Sequence, residues 1–434
     1  MKGELCERDV EALTVHHCYI LTFLTTTIKL TKETSLMNND HLEQAKNRKQ
    51  VFDKFLQIEQ KVGANADKLA FLDRGIEQSK YKNSIPNYSQ SLTRKPLQYT
   101  SYPVLGNIPY IDEQGLDFLH PQIEEACISL GKFEAGELKT IWMGRNPLKT
   151  AQFWSSTKII PVVNTLSKID QLFPQGDIKN LDLKDAKNIT VKFPLDLAIQ
   201  DIVSYQENLA TSNSLAALFK RFETRSNLEA WFQKVTGNST LKFQGDYGEQ
   251  PTIQNPIIFD RTTQNTLIKA VTDTPKGDNL VSAYDLTRLI SLIGWHAYLP
   301  AECQLPNLQQ KTLNSLILAM GQDTARYVDV ALETLGIQEV ITAPVILSKM
   351  GYGNSETRQT VEACYMAFVQ FIDPLALGNG KSAQFRTLAL TLRGVIPVAN
   401  FNDCTPEALQ LDARMAAEVT EIMRRVITEE LDAL

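Results

Sequence analysis

Residues 152–169, QFWSSTKIIPVVNTLSKI, contain the most informative pattern of the chain. Ser155 and Lys158 lie three positions apart, where an aromatic segment gives way to an apolar run with helical character. On a helix this spacing puts the hydroxyl and the amine on one face, and the helix dipole favours negative charge at a serine that opens the helix. A lysine that loses its proton easily can deprotonate such a serine. The stretch therefore predicts a serine nucleophile at a helix start.

The same S-x-x-K tetrad occurs at three other places, so context has to separate them. The other pairs are Ser79/Lys82, Ser129/Lys132 and Ser239/Lys242. Ser129 falls in a strand-like segment, where positions three apart face opposite sides. Ser79 lies in a polar linker and Ser239 in a loop-like segment, which leaves Ser155. Pro161 disturbs the pattern, because a proline two turns into a helix removes a hydrogen bond and bends the helix.

The composition is that of an ordinary globular protein. The chain has 434 residues, a net charge of −6, 43% hydrophobic residues and 22% charged residues, which excludes collagen-like, coiled-coil and largely disordered proteins. The dispersed basic residues argue against nucleic-acid binding. The six cysteines form no C-x-x-C pair and the five histidines no H-E-x-x-H motif, so we expect separate buried thiols, no metal and no cofactor.

The N-terminal residues are the only candidate for a targeting segment. Residues 13–30 are weakly hydrophobic, but acidic residues precede them and no A-x-A-like site follows. They are also short and polar for a membrane span, and Met37 could be the native start. The absence of a clear signal favours the cytoplasm, whereas action on a cell wall would require export.

The order of predicted elements indicates an α+β domain. From the N-terminus we expect a helical extension (38–80), a Ser/Tyr/Pro-rich linker (81–107), a helix (117–126), two strands (126–131 and 138–144), a mostly helical section (155–340), two more strands (362–372 and 385–395) and a closing helix that begins at Thr405-Pro406. Strands from the two ends can form one antiparallel sheet only if the helical section is an insertion between them. The predicted units are 1–36, 37–107 and 108–434.

Three segments in order resemble the motifs of serine β-lactamases and penicillin-binding DD-peptidases. FWSSTKIIPVV (153–163) resembles the nucleophile segment, with Ser155 and Lys158. TSNSLAALF (211–219) is similar to the second motif of that group, and SKMGYGNSETRQ (348–359) is similar to the third. SAYDLTRLI (282–290) resembles a helix of the class A enzymes. The resemblance covers about residues 115–434 and implies the transpeptidase-like α+β fold.

The resemblance also implies roles for individual residues. Ser155 would attack an amide carbonyl, Lys158 would act as or assist the base, and Ser212 would relay a proton to the leaving nitrogen. The oxyanion hole would consist of the backbone N–H of Ser155 and that of a residue on the strand after Lys349. The implied substrate-binding residues are Ser214, Lys349, which would hold a substrate carboxylate, and Gly351.

The chain departs from the family pattern at two motif positions. Ser214 stands where an asparagine is usual, and Met350 stands where a hydroxyl residue is usual. The glutamate that class A enzymes use to activate water has no clear counterpart; the candidates in that region are Asp246, Glu249 and Asp260. We therefore do not expect efficient β-lactam hydrolysis.

Three functions remain open from the sequence. The first is a serine acyl-transfer hydrolase that acts on a small-molecule or peptide amide, or on a β-lactam-like substrate, through an acyl-enzyme. The second is a catalytically degenerate relative whose cleft binds a ligand or partner. The third is a glutaminase-like serine amidase. Each motif also has a purely structural alternative: Ser155 as a helix cap, Ser212 as part of a capping loop, and Lys349 at a strand start. The oligomeric state is open.

Overall fold

The structure is a computed structural model, and it describes residues 41–62, 98–188, 190–323, 325, 327–338, 341–373 and 383–431. The strands are β1 (Thr100–Ser101), β2 (Ile123–Glu134), β3 (Glu137–Arg145), β4 (Leu181–Asp185), β5 (Lys192–Pro194), β6 (Lys242–Phe243), β7 (Pro256–Asp260), β8 (Asn265–Lys269), β9 (Asn279–Leu280), β10 (Thr342–Ser355), β11 (Thr360–Asp373) and β12 (Gln384–Pro397). The helices of eight residues or more are α1 (Arg48–Val62), α2 (Ile159–Leu172), α3 (Leu195–Ser204), α4 (Ser212–Phe219), α5 (Arg225–Thr236), α6 (Ala283–Gly294), α7 (Gln310–Met320), α8 (Tyr327–Thr334) and α9 (Thr405–Ile427).

A six-stranded antiparallel sheet joins the two ends of the domain. Its strand order is β1-β3-β2-β12-β11-β10, so strand β2 from the N-terminal side pairs with β12 from the C-terminal side, with Leu390 opposite Ile128. The helical section enters and leaves between β3 and β10. The α+β prediction, with the middle of the chain inserted between the two halves of one sheet, is confirmed.

Both faces of this sheet are covered, which explains why its central strands are apolar along their whole length. Ala389 on β12 belongs to the core shared with α6, whereas its neighbours Leu388 and Leu390 belong to the core shared with α9. Side chains alternate between the two faces of a strand, so each face packs on a different helix. Helix α6 starts with a capping box of Ser282 and Asp285.

The inserted section is less helical than predicted. Besides α2 to α8 it contains a small antiparallel sheet of order β5-β4-β7-β8 and the short pair β6-β9. These strands have two to five residues each. Strands so short carry little periodic signal, and the sequence therefore did not reveal them.

The predicted helix over residues 117–126 is wrong. Turns occupy residues 113–119, and β2 begins at Ile123. Apart from the partly exposed Glu124, residues from Ile123 to Phe133 are buried on both faces of the sheet, so their apolar pattern lacks the alternation that identifies a half-buried strand. A short apolar run of this kind is easily mistaken for a helix segment.

The N-terminal extension contributes a helix that packs on the domain. Helix α1 ends at Val62, and it packs Phe55, which is 1% exposed, against α9. Arg414 of α9 covers the Phe52 ring at 3.9 Å. Residues 1–40 and 63–97, which include the segment 1–36, Met37, Ser79 and most of the predicted linker, lie outside the described residues. Among the helices that are described, none is long and apolar enough to cross a membrane.

Candidate active site

Ser155 lies in a short 3₁₀ segment, Trp154–Lys158, that leads directly into α2. The α-helix itself begins at Ile159, so Pro161 falls in its first turn. Backbone N–H groups in a first turn have no intrahelical partner, and the proline therefore costs no hydrogen bond. We expected Pro161 to lie two turns into a helix and to bend it. The α-helix starts only after the tetrad, so Pro161 lies in its first turn, where it does not require a bend.

Lys158 is buried, 2% exposed, and its Nζ donates a hydrogen bond to Ser212 Oγ at 2.7 Å. Burial lowers the pKa of Lys158 to about 7, although the negative charges of Glu249 and Glu207 oppose the shift. Removing an ammonium group from water disfavours its charged form. A large fraction of Lys158 is therefore an uncharged amine near neutral pH, as a general base requires.

The second motif opens α4 and presents two of its side chains in different directions. Thr211 is the helix cap, and its Oγ accepts a hydrogen bond from the Ser214 amide at 3.2 Å. Ser214 Oγ in turn accepts a hydrogen bond from the Thr252 amide at 2.7 Å. Ser212 thus contacts Lys158, whereas Ser214 contacts the loop around Thr252.

Lys349 is fully buried within β10, 0% exposed. Its Nζ donates to the hydroxyl of Tyr205 and to the Met350 carbonyl at 3.2 Å, and it lies 3.6 Å from the centroid of the Tyr205 ring. Burial lowers the pKa of Lys349 well below its usual value, against the opposing charge of Asp323. The lysine that the resemblance assigned to a substrate carboxylate is thus covered by a tyrosine, and burial disfavours its charged form.

Tyr205 is the site residue that the sequence did not reveal. It follows the last residue of α3 in the left-handed conformation, with φ 56°. Its hydroxyl donates to the Met350 carbonyl at 2.7 Å and lies near the Ser155 side chain. Burial raises the pKa of Tyr205, so its hydroxyl stays protonated at neutral pH. Ser155 and Lys349 therefore both lie near Tyr205, and the local signal for it was an aromatic residue at a helix end.

Two glycines of β10 let the nucleophile segment lie directly against the sheet. A Cβ on Gly351 would stand 2.6 Å from the Phe153 carbonyl oxygen and 2.9 Å from the Ser155 nitrogen. A Cβ on Gly353 would stand 2.4 Å from the Trp154 ring. Real Cβ atoms do not approach backbone or ring atoms so closely, and the third motif therefore requires glycine for packing.

Trp154, the residue before the nucleophile, has a strained backbone conformation. Its φ is +47°, in the left-handed region that bulky residues avoid. The indole N–H donates to the Glu362 carboxylate at 2.9 Å, and Arg358 bonds the same carboxylate at 2.6 Å. Trp154 and Arg358 therefore share Glu362 as a partner. The hydrogen bond to Glu362 and the close approach of Gly353 together keep Trp154 and the adjoining Ser155 in place.

A cavity of about 390 Å³ opens beside Ser155. The residues that line it are Gln152, Trp154, Ser155, Thr157, Asn213, Asp246, Tyr247, Gly248, Gly277, Asp278, Asn279 and Tyr352. Within the described part of the chain, no group of three or more His, Cys, Asp or Glu side chains could hold a metal ion.

The three candidates for a water-activating carboxylate occupy different environments. Asp246 lines the cavity and forms an ion pair with Arg225 at 3.0 Å. Glu249 accepts a hydrogen bond from Thr211 Oγ at 2.7 Å. Asp260 ends β7 and caps the following turn. Asp246 and Glu249 are therefore near the site, and both have other partners.

Comparison with known proteins finds similarity only among solved structures. No protein-family model and no curated protein matches the chain. A class A β-lactamase from Mycobacterium abscessus is 11% identical with a TM-score of 0.39, and the match covers 70% of this chain and 96% of that one. A β-lactamase from Desulfarculus baarsii is 12% identical with a TM-score of 0.39, covering 70% and 93%. A peptidoglycan synthetase from Bifidobacterium adolescentis is 13% identical with a TM-score of 0.32, covering 74% and 59%.

Proposed function

We propose that the chain is a serine acyl-transfer hydrolase that cleaves an amide or peptide bond, with Ser155 as its nucleophile. The observation that carries the proposal is the contact of Lys158 Nζ with Ser212 Oγ at 2.7 Å. This buried amine lies one helical turn from Ser155, and Ser155 faces a cavity. A serine, an amine that is partly uncharged at neutral pH and a second hydroxyl are the groups that acyl transfer needs.

The proposed reaction has two steps that these groups can perform. Lys158 takes the hydroxyl proton of Ser155 while Ser155 Oγ bonds to the substrate carbonyl carbon. Ser212 then passes the proton from Lys158 to the leaving nitrogen, so the C–N bond breaks and an ester to Ser155 remains. Water attacks that ester and gives its proton back through the same groups, which releases the acid and restores Ser155.

The packing of β10 supports an oxyanion hole on the same side of the cavity. Gly351 brings the strand against the Ser155 nitrogen. The Met350 carbonyl bonds to Tyr205 and so faces away from β11. Backbone groups of residues two apart face the same edge of a strand, so the Tyr352 N–H would face that way as well. The amides of Ser155 and Tyr352 are therefore the proposed oxyanion donors.

A second candidate function is ligand binding without turnover. The observation that favours it is that Lys158 Nζ donates to Ser212 Oγ, whereas the Ser155 side chain lies near Tyr205. Glu249 is bonded to Thr211 rather than to a group of the nucleophile segment. A protein that binds or becomes acylated, but does not release product, would fit this arrangement.

A turnover assay separates the two functions. Wild type, Ser155→Ala and Lys158→Ala should be compared on chromogenic esters and amides, short peptides, a penicillin and glutamine. The proposal expects turnover by wild type that both variants reduce by about 10²-fold or more. Lys132→Ala, which removes the lysine of the tetrad in β2, is the matched control and should keep wild-type rates. Ammonia release from glutamine would identify the amidase alternative, and turnover unchanged by Ser155→Ala would refute the proposal.

A further inference from the structure

The charged side chains that line the cavity are both acidic. Among the described residues lining it, Asp246 and Asp278 carry charge and no lysine or arginine does. Asp246 forms an ion pair with Arg225 at 3.0 Å. Asp278 is exposed at the opening of the cavity. A bound group would therefore meet a negative rim.

The lysines near the site do not change this balance. Lys349 is fully buried beneath Tyr205 and bonded to the Met350 carbonyl. Lys158 is buried against Ser212. Neither Nζ is presented to a ligand as an exposed ammonium group. A substrate carboxylate would therefore lose its hydration without gaining a charged partner, which is costly.

Aromatic rings form much of the remaining wall. Trp154, Tyr247 and Tyr352 all line the cavity, and Tyr352 is 42% exposed. The faces of such rings attract cations, and ammonium groups are commonly bound between aromatic rings and carboxylates. The aromatic lining is independent of the two aspartates and favours the same kind of ligand.

We infer that the cavity accepts an amide or peptide substrate that carries a positively charged group, with the cation held by Asp278 and the aromatic rings. This inference names the substrate class of the proposed hydrolase and rests on that function. It predicts a positively charged substrate, whereas the resemblance implied that Lys349 holds a substrate carboxylate. An amine or a guanidinium on the substrate would satisfy it.

A binding experiment tests the inference without requiring turnover. Ser155→Ala protein should be titrated calorimetrically with three matched N-acetyl amino-acid methylamides, those of lysine, norleucine and 2-aminoadipate, which are cationic, neutral and anionic. We expect the lysine compound to bind about tenfold more tightly than the norleucine compound, with the aminoadipate compound weakest. The preference should decrease as salt is raised.

Two variants locate the effect. Asp278→Asn should reduce the preference for the cation to about twofold or less while leaving affinity for the neutral compound unchanged. Glu356→Gln removes an exposed carboxylate from the β10–β11 turn, outside the cavity lining, and should keep the full preference. Equal binding of the three compounds, preference for the anion, or no binding at all would overturn the inference. The proposed function is judged separately, by the turnover that depends on Ser155 in wild type.

Discussion

At the scale of single residues, the protonation of Lys158 decides whether Ser155 can react. Because its pKa is about 7, the amine is mostly protonated at pH 6 and mostly free at pH 8. The acylation rate should therefore rise about tenfold from pH 6 to pH 8 and level off above that. Stopped-flow measurement of probe acylation across this range checks it. A rate that is flat, or that falls with rising pH, would show that Lys158 is not the base.

The burial of Lys158 also lowers the free energy of unfolding. Its pKa in the folded protein, about 7, is below the usual 10.5, so the unfolded chain binds more protons between these values. The contribution of Lys158 to stability should therefore rise as pH increases from 7 to 10.5 and stay at its lower level below pH 7. Lys158→Met removes this penalty.

We expect Lys158→Met to abolish turnover and to stabilise the protein by about 1–3 kcal/mol at pH 7. Urea unfolding at pH 7 and pH 10 measures the effect, which should shrink at the higher pH. Lys49→Met, at a side chain that is 83% exposed, is the control and should change stability little. A destabilised Lys158→Met protein at pH 7 would mean that Lys158 is stabilising where it lies.

At the scale of elements, β10 positions the nucleophile through its glycines. In Gly351→Ala the new Cβ would meet the Phe153 carbonyl and the Ser155 nitrogen, both backbone atoms that cannot move independently. The segment that carries Ser155 must shift, and a displacement of about 1 Å can cost about 10²-fold in rate. We expect acylation of Gly351→Ala to be about 10–100-fold slower, with the circular dichroism spectrum unchanged.

The control for this variant is Gly136→Asn in the β2–β3 turn. A Cβ there meets nothing within 4 Å, and asparagine tolerates the φ of +82° better than most residues. It should acylate at the wild-type rate. Wild-type acylation by Gly351→Ala would mean that close packing of β10 does not place Ser155.

The elements that the sequence predicted correctly are those with long, one-sided or fully apolar patterns. Strands β11 and β12 have fourteen residues each, and α9 shows a continuous apolar stripe after Thr405-Pro406. The short strands β4, β5, β7 and β8 carried no comparable signal. The start of β2 was mistaken for a helix because it is buried on both faces.

Part of the candidate site could also be predicted from local patterns in the sequence. Local spacing and motif order pointed to Ser155, Lys158 and Ser212, and the last two are in contact. The burial of Lys349 and the involvement of Tyr205 depend on the packing of the end of α3 against β10. That contact joins segments about 145 residues apart, and neither segment alone contains a sign of it.

At the scale of the whole molecule, buried ion pairs link the two ends of the domain. Arg393 on β12 bonds Glu125 on β2 at 2.6 Å and Glu362 on β11 at 3.0 Å. Both carboxylates are 0% exposed. Glu362 also holds Trp154, so the pairs connect the sheet to the nucleophile segment.

Arg393→Leu would leave two buried carboxylates without their shared cation, and we expect a loss of about 3–5 kcal/mol of unfolding free energy. Urea denaturation measures it. Lys46→Leu, which removes a cation at an exposed ion pair on the surface, should cost less than about 1 kcal/mol. Similar losses for the two variants would show that the buried pairs do not join the two halves of the sheet.

The most direct measurement is the mapping of a covalent adduct. Wild type, Ser155→Ala and Ser156→Ala should each be treated with a fluorophosphonate, digested and analysed by mass spectrometry. Ser156 is the control position, because its hydroxyl in the wild type is buried and donates to the Lys349 carbonyl at 3.2 Å. We predict one adduct, on Ser155, in wild type and Ser156→Ala, and none in Ser155→Ala. An adduct on a different residue, or equal labelling of Ser155→Ala, would contradict the assignment of Ser155 as the nucleophile.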